Sequence, residues 1–236
     1  MGKRIVSQRR GKGSMRYRAP NHRFFGEANY TSVNSEQSKG VVRDIVHCPA
    51  HTAPLVCAEY ENGELALLIA PEGIRVNDII ESNTESVAKG NIVRLKDVPE
   101  GTSVYNIEGI PGDGGKFVRS SGTTAKVVSQ LGNKVEILLP SKKKKIFNLN
   151  CRATVGVIAA GGRPDKPFMK AGTRHYKMKA RNKLYPKVCG VSMNAVDHPH
   201  GGAESHHKGK PTIARRYAPP GAKVGKIRPR RTGMKR

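Results

Sequence analysis

The stretch VSMNAVDHPHGGAESHH, residues 191–207, places four histidines, one aspartate, one glutamate and two serines within seventeen residues. Three chemistries could use such a set. Asp197 beside His198, with Ser205 downstream, has the residue types of a Ser-His-Asp hydrolase, in which a base takes the proton of a nucleophile. His198, His200, His206 and His207 could chelate zinc. In the third, Pro199 fixes the backbone, Gly201 and Gly202 let it approach a surface closely, and Asn194, His198 and His200 present polar groups to that surface. A catalytic set needs a rigid frame, whereas proline and glycine interrupt this one, and adjacent residues such as Asp197 and His198 rarely face each other. Zinc sites usually draw on cysteine pairs. The cysteines here, Cys48, Cys57, Cys151 and Cys189, form no C-x-x-C, and HCPAHTAPLVC (47–57) has no recognisable zinc spacing. No metal site is expected, and recognition by shape fits the segment best.

The rest of the chain must position that loop. It has 236 residues and a formal net charge of +25. Hydrophobic residues are 36% and aromatics 5%, with no tryptophan, below the ~45–50% apolar share of an ordinary domain. Modest cores are therefore expected, and a polyanion, most commonly nucleic acid, is the expected partner. No apolar run is long enough to span a bilayer. The N-terminus lacks an apolar signal core, and Gly2 is followed by Val6 where a myristoylation signal needs Ser or Thr. These features point to a cytosolic protein whose scattered cysteines act as small buried hydrophobes.

The charge is segregated. Residues 1–26 carry eight Lys/Arg and no acid, and residues 205–236 carry eleven and no acid. Residues 163–187 hold nine Lys/Arg against Asp165, whereas 36–113 hold thirteen acids against six Lys/Arg. The middle reads as β-structure. Strand-like runs occupy 40–47, 53–73 around the Asn62-Gly63 turn, 76–82, 91–95, 102–109, 125–140, 145–149 and 153–162. No long 3.6-residue apolar period appears, so helices should be few and short. Two small antiparallel barrels are the preferred architecture, with a single sandwich as the alternative and 84–91 as the candidate boundary. The domains are accordingly drawn as 1–90 and 91–236.

Phosphate contacts are assigned to Lys3, Arg4, Arg9, Arg10, Lys12, Arg16, Arg18, His22 and Arg23 in the first arm. The Gly/Pro turn GIPGDGGKFVRSSG (109–122) adds Lys116 and Arg119, although it lacks the G-K-S/T ending of a P-loop. Arg163, Lys166, Lys170, Arg174, His175, Lys177, Lys179, Arg181 and Lys183 interleave with Phe168 and Tyr176, a mixture suited to phosphates and occasional base stacking. The last arm adds Lys208, Lys210, Arg215, Arg216, Lys223, Lys226, Arg228, Arg230 and Arg231. With few apolar residues to bury, these arms are expected to order only against a partner. Lys142–Lys145 reads either as a solvated hairpin tip or as a phosphate-contacting loop.

Several of these segments also carry a resemblance. GKRIVSQRRGKGSMRYRAPNHR, RDIVHCPAHTAPL, PGDGGKFVRSSG, CRATVGVIAAGGRPDKPFMKAGTRHYKMKARNKLYPKV, MNAVDHPHGG and APPGAKVGKIRPRRTG resemble, in order and over nearly the whole chain, the universal large-subunit ribosomal proteins of the L-two family, in their archaeal and eukaryotic branch. The resemblance implies an OB-fold followed by an SH3-like barrel, with long basic extensions. It also implies a structural protein that binds 23S-type large-subunit rRNA near the peptidyl-transferase region and the subunit interface, supporting subunit association and tRNA binding. Its further partners would be other large-subunit proteins and a bridge to the small subunit. No cofactor is implied, beyond Mg or K ions ordered at the RNA surface. In the family the histidine matching His198 is linked to ribosome activity. Cys189 stands where most members carry Arg, and Ala203 where most carry a third Gly. A zinc-dependent or Ser-His hydrolase centred on His198, and a general DNA-binding protein, are the rival readings.

Overall fold

The computed structural model describes residues 2–31, 37–204 and 206–228. Ser205, Arg230 and Arg231 lie outside the described residues. The chain divides into two compact units, Asn21–Met169 and a second built from Met1–Pro20 with Lys170–Arg236.

The first unit is mostly β, with short 3-10 turns at Asn21–Arg23, Leu95–Asp97 and Arg163–Asp165. Its strands are β1 Ser38–Val46, β2 Leu55–Tyr60, β3 Leu65–Ile69, β4 Ile79–Ser82, β5 Ile92–Arg94, β6 Ser103–Tyr105, β7 Ala125–Leu131, β8 Lys134–Leu138, β9 Lys144–Asn148 and β10 Arg152–Val155. Each falls within or beside a β-branched run identified above. Asn62-Gly63 makes the first hairpin: Gly63 takes φ +78°, and the Tyr60 and Gly63 amides donate to the carbonyls of Glu64 and Tyr60 at 3.0 and 2.8 Å. Such a turn needs residues that tolerate positive φ, which Asn-Gly supplies.

The strands form one hydrogen-bonded sheet in the order β3-β2-β1-β4-β5-β10-β6-β7-β8-β9. All pairings are antiparallel except β4 with β5, which meet at Ser82 and Ile92 alone. Side chains from β1–β4 (Val42, Val56, Ala58, Tyr60, Ile80) form one apolar cluster, and β5–β10 supply another from Val93, Val104, Val127, Ile137 and Phe147. A third, from Ala28, Cys48, Leu55, Ile69, Tyr105 and Ile158, draws on residues from both stretches. Burying a Val, Leu or Ile side chain contributes about 1.5–3 kcal/mol, so these small clusters suffice without tryptophan.

Among the described residues one ion pair is fully internal. Glu108 is wholly buried and Arg152 nearly so. Glu108 Oε1 accepts from Arg152 Nη2 at 2.9 Å and Nε at 3.1 Å, while Oε2 accepts from the Arg152 amide at 2.8 Å. Arg152 Nη1 donates to Thr31 O at 3.0 Å. Tyr30 Oη completes the network at 2.6 Å from Asn106 O and 2.8 Å from Thr154 Oγ1, and burial pushes its hydroxyl far above the ordinary tyrosine range.

The second unit contains α1 Val6–Gly11 and α2 Ala171–Ala180, with 3-10 turns at Met15–Tyr17 and Gly190–Ser192. The helices are indeed few and short. Among the described residues of this unit only His200 and Val224 are buried, so its shape rests on polar contacts rather than a core. The cysteines follow expectation in part: Cys48 and Cys151 are buried, Cys57 is half-buried and Cys189 is exposed. No helix among the described residues is long and apolar enough to cross a membrane.

Candidate nucleic-acid interface

The histidine loop is built by its own backbone. The Asp197 and His198 amides donate to Asn194 O at 3.0 and 3.2 Å, and the Gly201 amide donates to His198 O at 2.9 Å. Gly202, at φ +82°, closes the turn by donating to Met193 O at 3.1 Å. A Cβ on Gly201 would overlap the carbonyls of Met193 and Asn194, and one on Gly190 would overlap the His198 ring. The glycines are thus required by close backbone and ring approach inside the loop.

The imidazoles are fixed in one arrangement. The His200 amide donates to His198 Nδ1 at 3.0 Å. This makes Nδ1 an acceptor and assigns the proton to Nε2, as a neutral imidazole allows. The two rings lie 5.0 Å apart. Burial, then His200 and Arg228, holds His198 below the ordinary histidine range; burial, then Lys208 and Lys210, does the same for His200. His198 therefore offers a neutral, oriented N–H donor.

Asp197 does not serve as the partner of that histidine. Its carboxylate lies 3.9 Å from Lys3 Nζ, and the Lys3 amide donates to Val196 O at 2.8 Å. The N-terminal arm therefore clamps this loop from outside, and Lys210 Nζ holds it further by donating to Pro199 O at 2.8 Å. No three His, Cys, Asp or Glu side chains are grouped to hold a metal among the described residues. In the HCPAH segment Cys48 is a buried structural residue whose sulfur accepts from the Phe25 amide at 3.4 Å.

The arms meet elsewhere too. Arg10 Nη2 donates to Asn182 O at 3.1 Å, and Asn182 Nδ2 donates to Arg16 O at 2.6 Å and Arg18 O at 2.5 Å. Arg10 and Arg16 lie against the Tyr17 ring at 5.7 and 6.0 Å. One unit thus gathers Lys3, Arg4, Arg9, Arg10, Lys12, Arg16 and Arg18 with α2 (Arg174, His175, Lys177, Lys179), with Arg181 and Lys183, and with the loop and tail from Asn194 to Arg228. Lys170 sits at the α2 N-cap. Every described Lys and Arg of this unit is at least partly exposed. Asn182, at φ +48°, is the residue that sequence reasoning missed. Asparagine after a basic helix signals a helix end, but nothing local shows that it ties the two arms.

His22, Arg23, Lys116, Arg119, Arg163 and Lys166 belong to the β unit instead. His22, Arg23, Lys116, Arg163 and Lys166 are exposed. Arg119 is half-buried and donates to Gly115 O at 2.7 Å and Ala28 O at 2.6 Å. The glycine-rich turn before it already holds an anion of its own: Glu108 accepts from the amides of Gly112 and Gly114 at 3.2 and 3.4 Å. Two of the four lysines in 142–145 also have protein partners. Lys144 Nζ lies 2.9 Å from Glu136, and Lys145 Nζ lies 3.8 Å from the centre of the Phe117 ring.

A β unit and a cationic unit that buries only His200 and Val224 among its described residues make up a charge and burial pattern suited to binding a polyanion. The family described as Ribosomal Proteins L2, C-terminal domain, matches residues 88–220. Three archaeal proteins, each called large ribosomal subunit protein uL2, align over 100% of both chains. They are 50% identical in Methanothermobacter thermautotrophicus, 49% in Methanocaldococcus jannaschii and 49% in Archaeoglobus fulgidus. The chain belongs to the L2 family of ribosomal proteins, of archaeal type.

Proposed function

We propose that this protein is a structural constituent of the large ribosomal subunit in the cytoplasm, binding 23S-type rRNA and neighbouring ribosomal proteins. The observation that carries the reading is the coreless cationic unit. It gathers both ends of the chain, exposes its Lys and Arg side chains, and buries only His200 and Val224 among its described residues. Folded RNA brings phosphates close together, and a cationic surface of this kind relieves their repulsion while taking its own order from them. The β unit is read as an OB-fold followed by an SH3-like barrel, an assignment supported by two apolar clusters, one drawn mainly from β1–β4 and the other from β5–β10. With it goes the division into 1–90 and 91–236. Within the subunit we place the protein near the peptidyl-transferase region and the subunit interface, supporting subunit association and tRNA binding. The assigned site residues, Arg230 and Arg231 included, contact rRNA, except Arg119, whose guanidinium ties Gly115 O and Ala28 O, and His198 supports RNA geometry through its Nε2 proton.

The test is co-sedimentation with large subunits after a high-salt wash, together with rRNA and duplex-DNA binding measured across a salt series. Folded rRNA should win in matched salt. Deleting 208–236 should flatten the slope by roughly 0.7–0.9 for each phosphate the tail neutralises. An unchanged slope, or equal affinity for duplex DNA, would overturn the assignment.

A further inference from the structure

Among the described residues, the outer face of β1–β4 leaves Leu65 and Ile79 exposed, with Val41 and Glu59 half-buried between them. The strand registers set Leu65 opposite Glu59, Glu59 opposite Val41, and Val41 opposite Ile79, so these side chains form one row across β3, β2, β1 and β4. Their neighbours Tyr60 and Ile80, paired through Gly40, point the other way into the core. Leu65 is 73% exposed and Ile79 is 62% exposed. Two clefts share Ile79 as a wall, and Glu61, Glu72 and Asp78 also line them. Of the cations lining these clefts, Lys39 lies 3.9 Å from Glu81 and Arg43 lies 2.6 Å from Glu59, leaving Lys89 beside Asp78 and Glu72.

We propose that this face docks an extended Lys/Arg-rich segment of a neighbouring protein. Its apolar side chains would cover Leu65 and Ile79 while its cations face Glu61, Glu72 and Asp78. Charge complementarity selects this occupant. Residues 36–113 hold thirteen acids against six Lys/Arg in a chain of net charge +25. RNA phosphates brought to the same surface would meet like charge beside bare aliphatic side chains. Face-to-face pairing of two copies would set the same acids against each other. The proposal rests on the ribosomal assignment and adds to it a surface that RNA does not occupy.

The experiment uses full-length chain carrying Ile79→p-benzoylphenylalanine, assembled into large subunits and irradiated after a high-salt wash. The expected adduct is to a Lys/Arg-rich peptide of a different protein. Adducts to rRNA, adducts to a second copy, or no adduct in particles that contain the chain, would each overturn the proposal. Presence of the chain in the particles reads the ribosomal assignment separately, and its absence would sink both. A Leu65→Lys/Ile79→Lys chain gives the second arm. It should keep its circular dichroism spectrum and its place in the particle, while the cross-linked protein falls at least tenfold in the particle by quantitative mass spectrometry. Full retention of that protein would refute the docking surface.

Discussion

Replacing Glu108 by glutamine tests whether the buried ion pair holds the β unit together. The carboxylate accepts five hydrogen bonds: three from Arg152 and one each from the amides of Gly112 and Gly114. Glutamine keeps one acceptor oxygen. Whichever way its amide turns, its NH2 group faces donors, and the guanidinium of Arg152, 3% exposed, loses its counter-charge. Removing one partner of a buried pair costs about 3–5 kcal/mol, against a total domain stability of roughly 5–15 kcal/mol. The folding equilibrium should therefore drop by roughly two to three and a half decades. The exposed Arg43–Glu59 pair is shorter, at 2.6 Å, yet Glu59→Gln should cost no more than about 1 kcal/mol, because water screens it. Urea unfolding followed by far-ultraviolet circular dichroism would measure both. The Glu108→Met/Arg152→Met double variant should be less destabilised than the sum of its single changes, because no charge is left buried alone. A Glu108→Gln cost below about 1 kcal/mol, or additive single changes, would refute this account of the pair.

Three further outcomes follow from the second unit. Gly201→Ala should disorder 194–202, seen as weakened amide protection there with the β unit unchanged, because its Cβ meets two backbone carbonyls. His198 and His200 titrate below the ordinary value of 6.5 in the folded loop. On lowering the pH through about 6.5, the unfolded loop takes up protons first. Hydrogen exchange in the free chain should then show the loop's partial protection highest above that pH and falling below it; protection that rises on acidification would refute the burial argument. Cys189→Arg, at an exposed position, should tighten rRNA binding and steepen the salt slope by roughly 0.7–0.9.

The strands are legible in the sequence because their signals are local. Asn62-Gly63 fixes a hairpin within four residues, and the β-branched runs set their own period. The charge blocks are legible in the same way, since a coreless cationic segment announces itself by composition. What the sequence hides is long-range pairing. Glu108 and Arg152 read as an ordinary acid and base, 44 residues apart. Lys3 and Asp197 lie far apart in the chain, so the adjacent Asp197–His198 pair looks like chemistry until the N-terminal arm is found holding the aspartate. The glycines of 201–202 read as close approach to a partner, whereas the approach visible in the fold is to the loop's own backbone.

The same distinction governs the count of cations. A sequence treats every Lys and Arg as available to phosphate, but a half-buried arginine whose Nη1 and Nη2 both donate to carbonyls of its own fold has fewer N–H groups left to offer. Lys116 is exposed, whereas Arg119 bridges Gly115 O and Ala28 O. Lys116→Met should therefore lower the rRNA salt slope by roughly 0.7–0.9 and leave unfolding unchanged. Arg119→Met should leave two carbonyls short of a donor, cost about 1–3 kcal/mol on unfolding, and leave the slope alone. Matched urea and salt titrations on the two variants separate the roles. If the slope responded to Arg119 and stability to Lys116, the glycine-rich turn would be an RNA contact rather than a strut of the β unit.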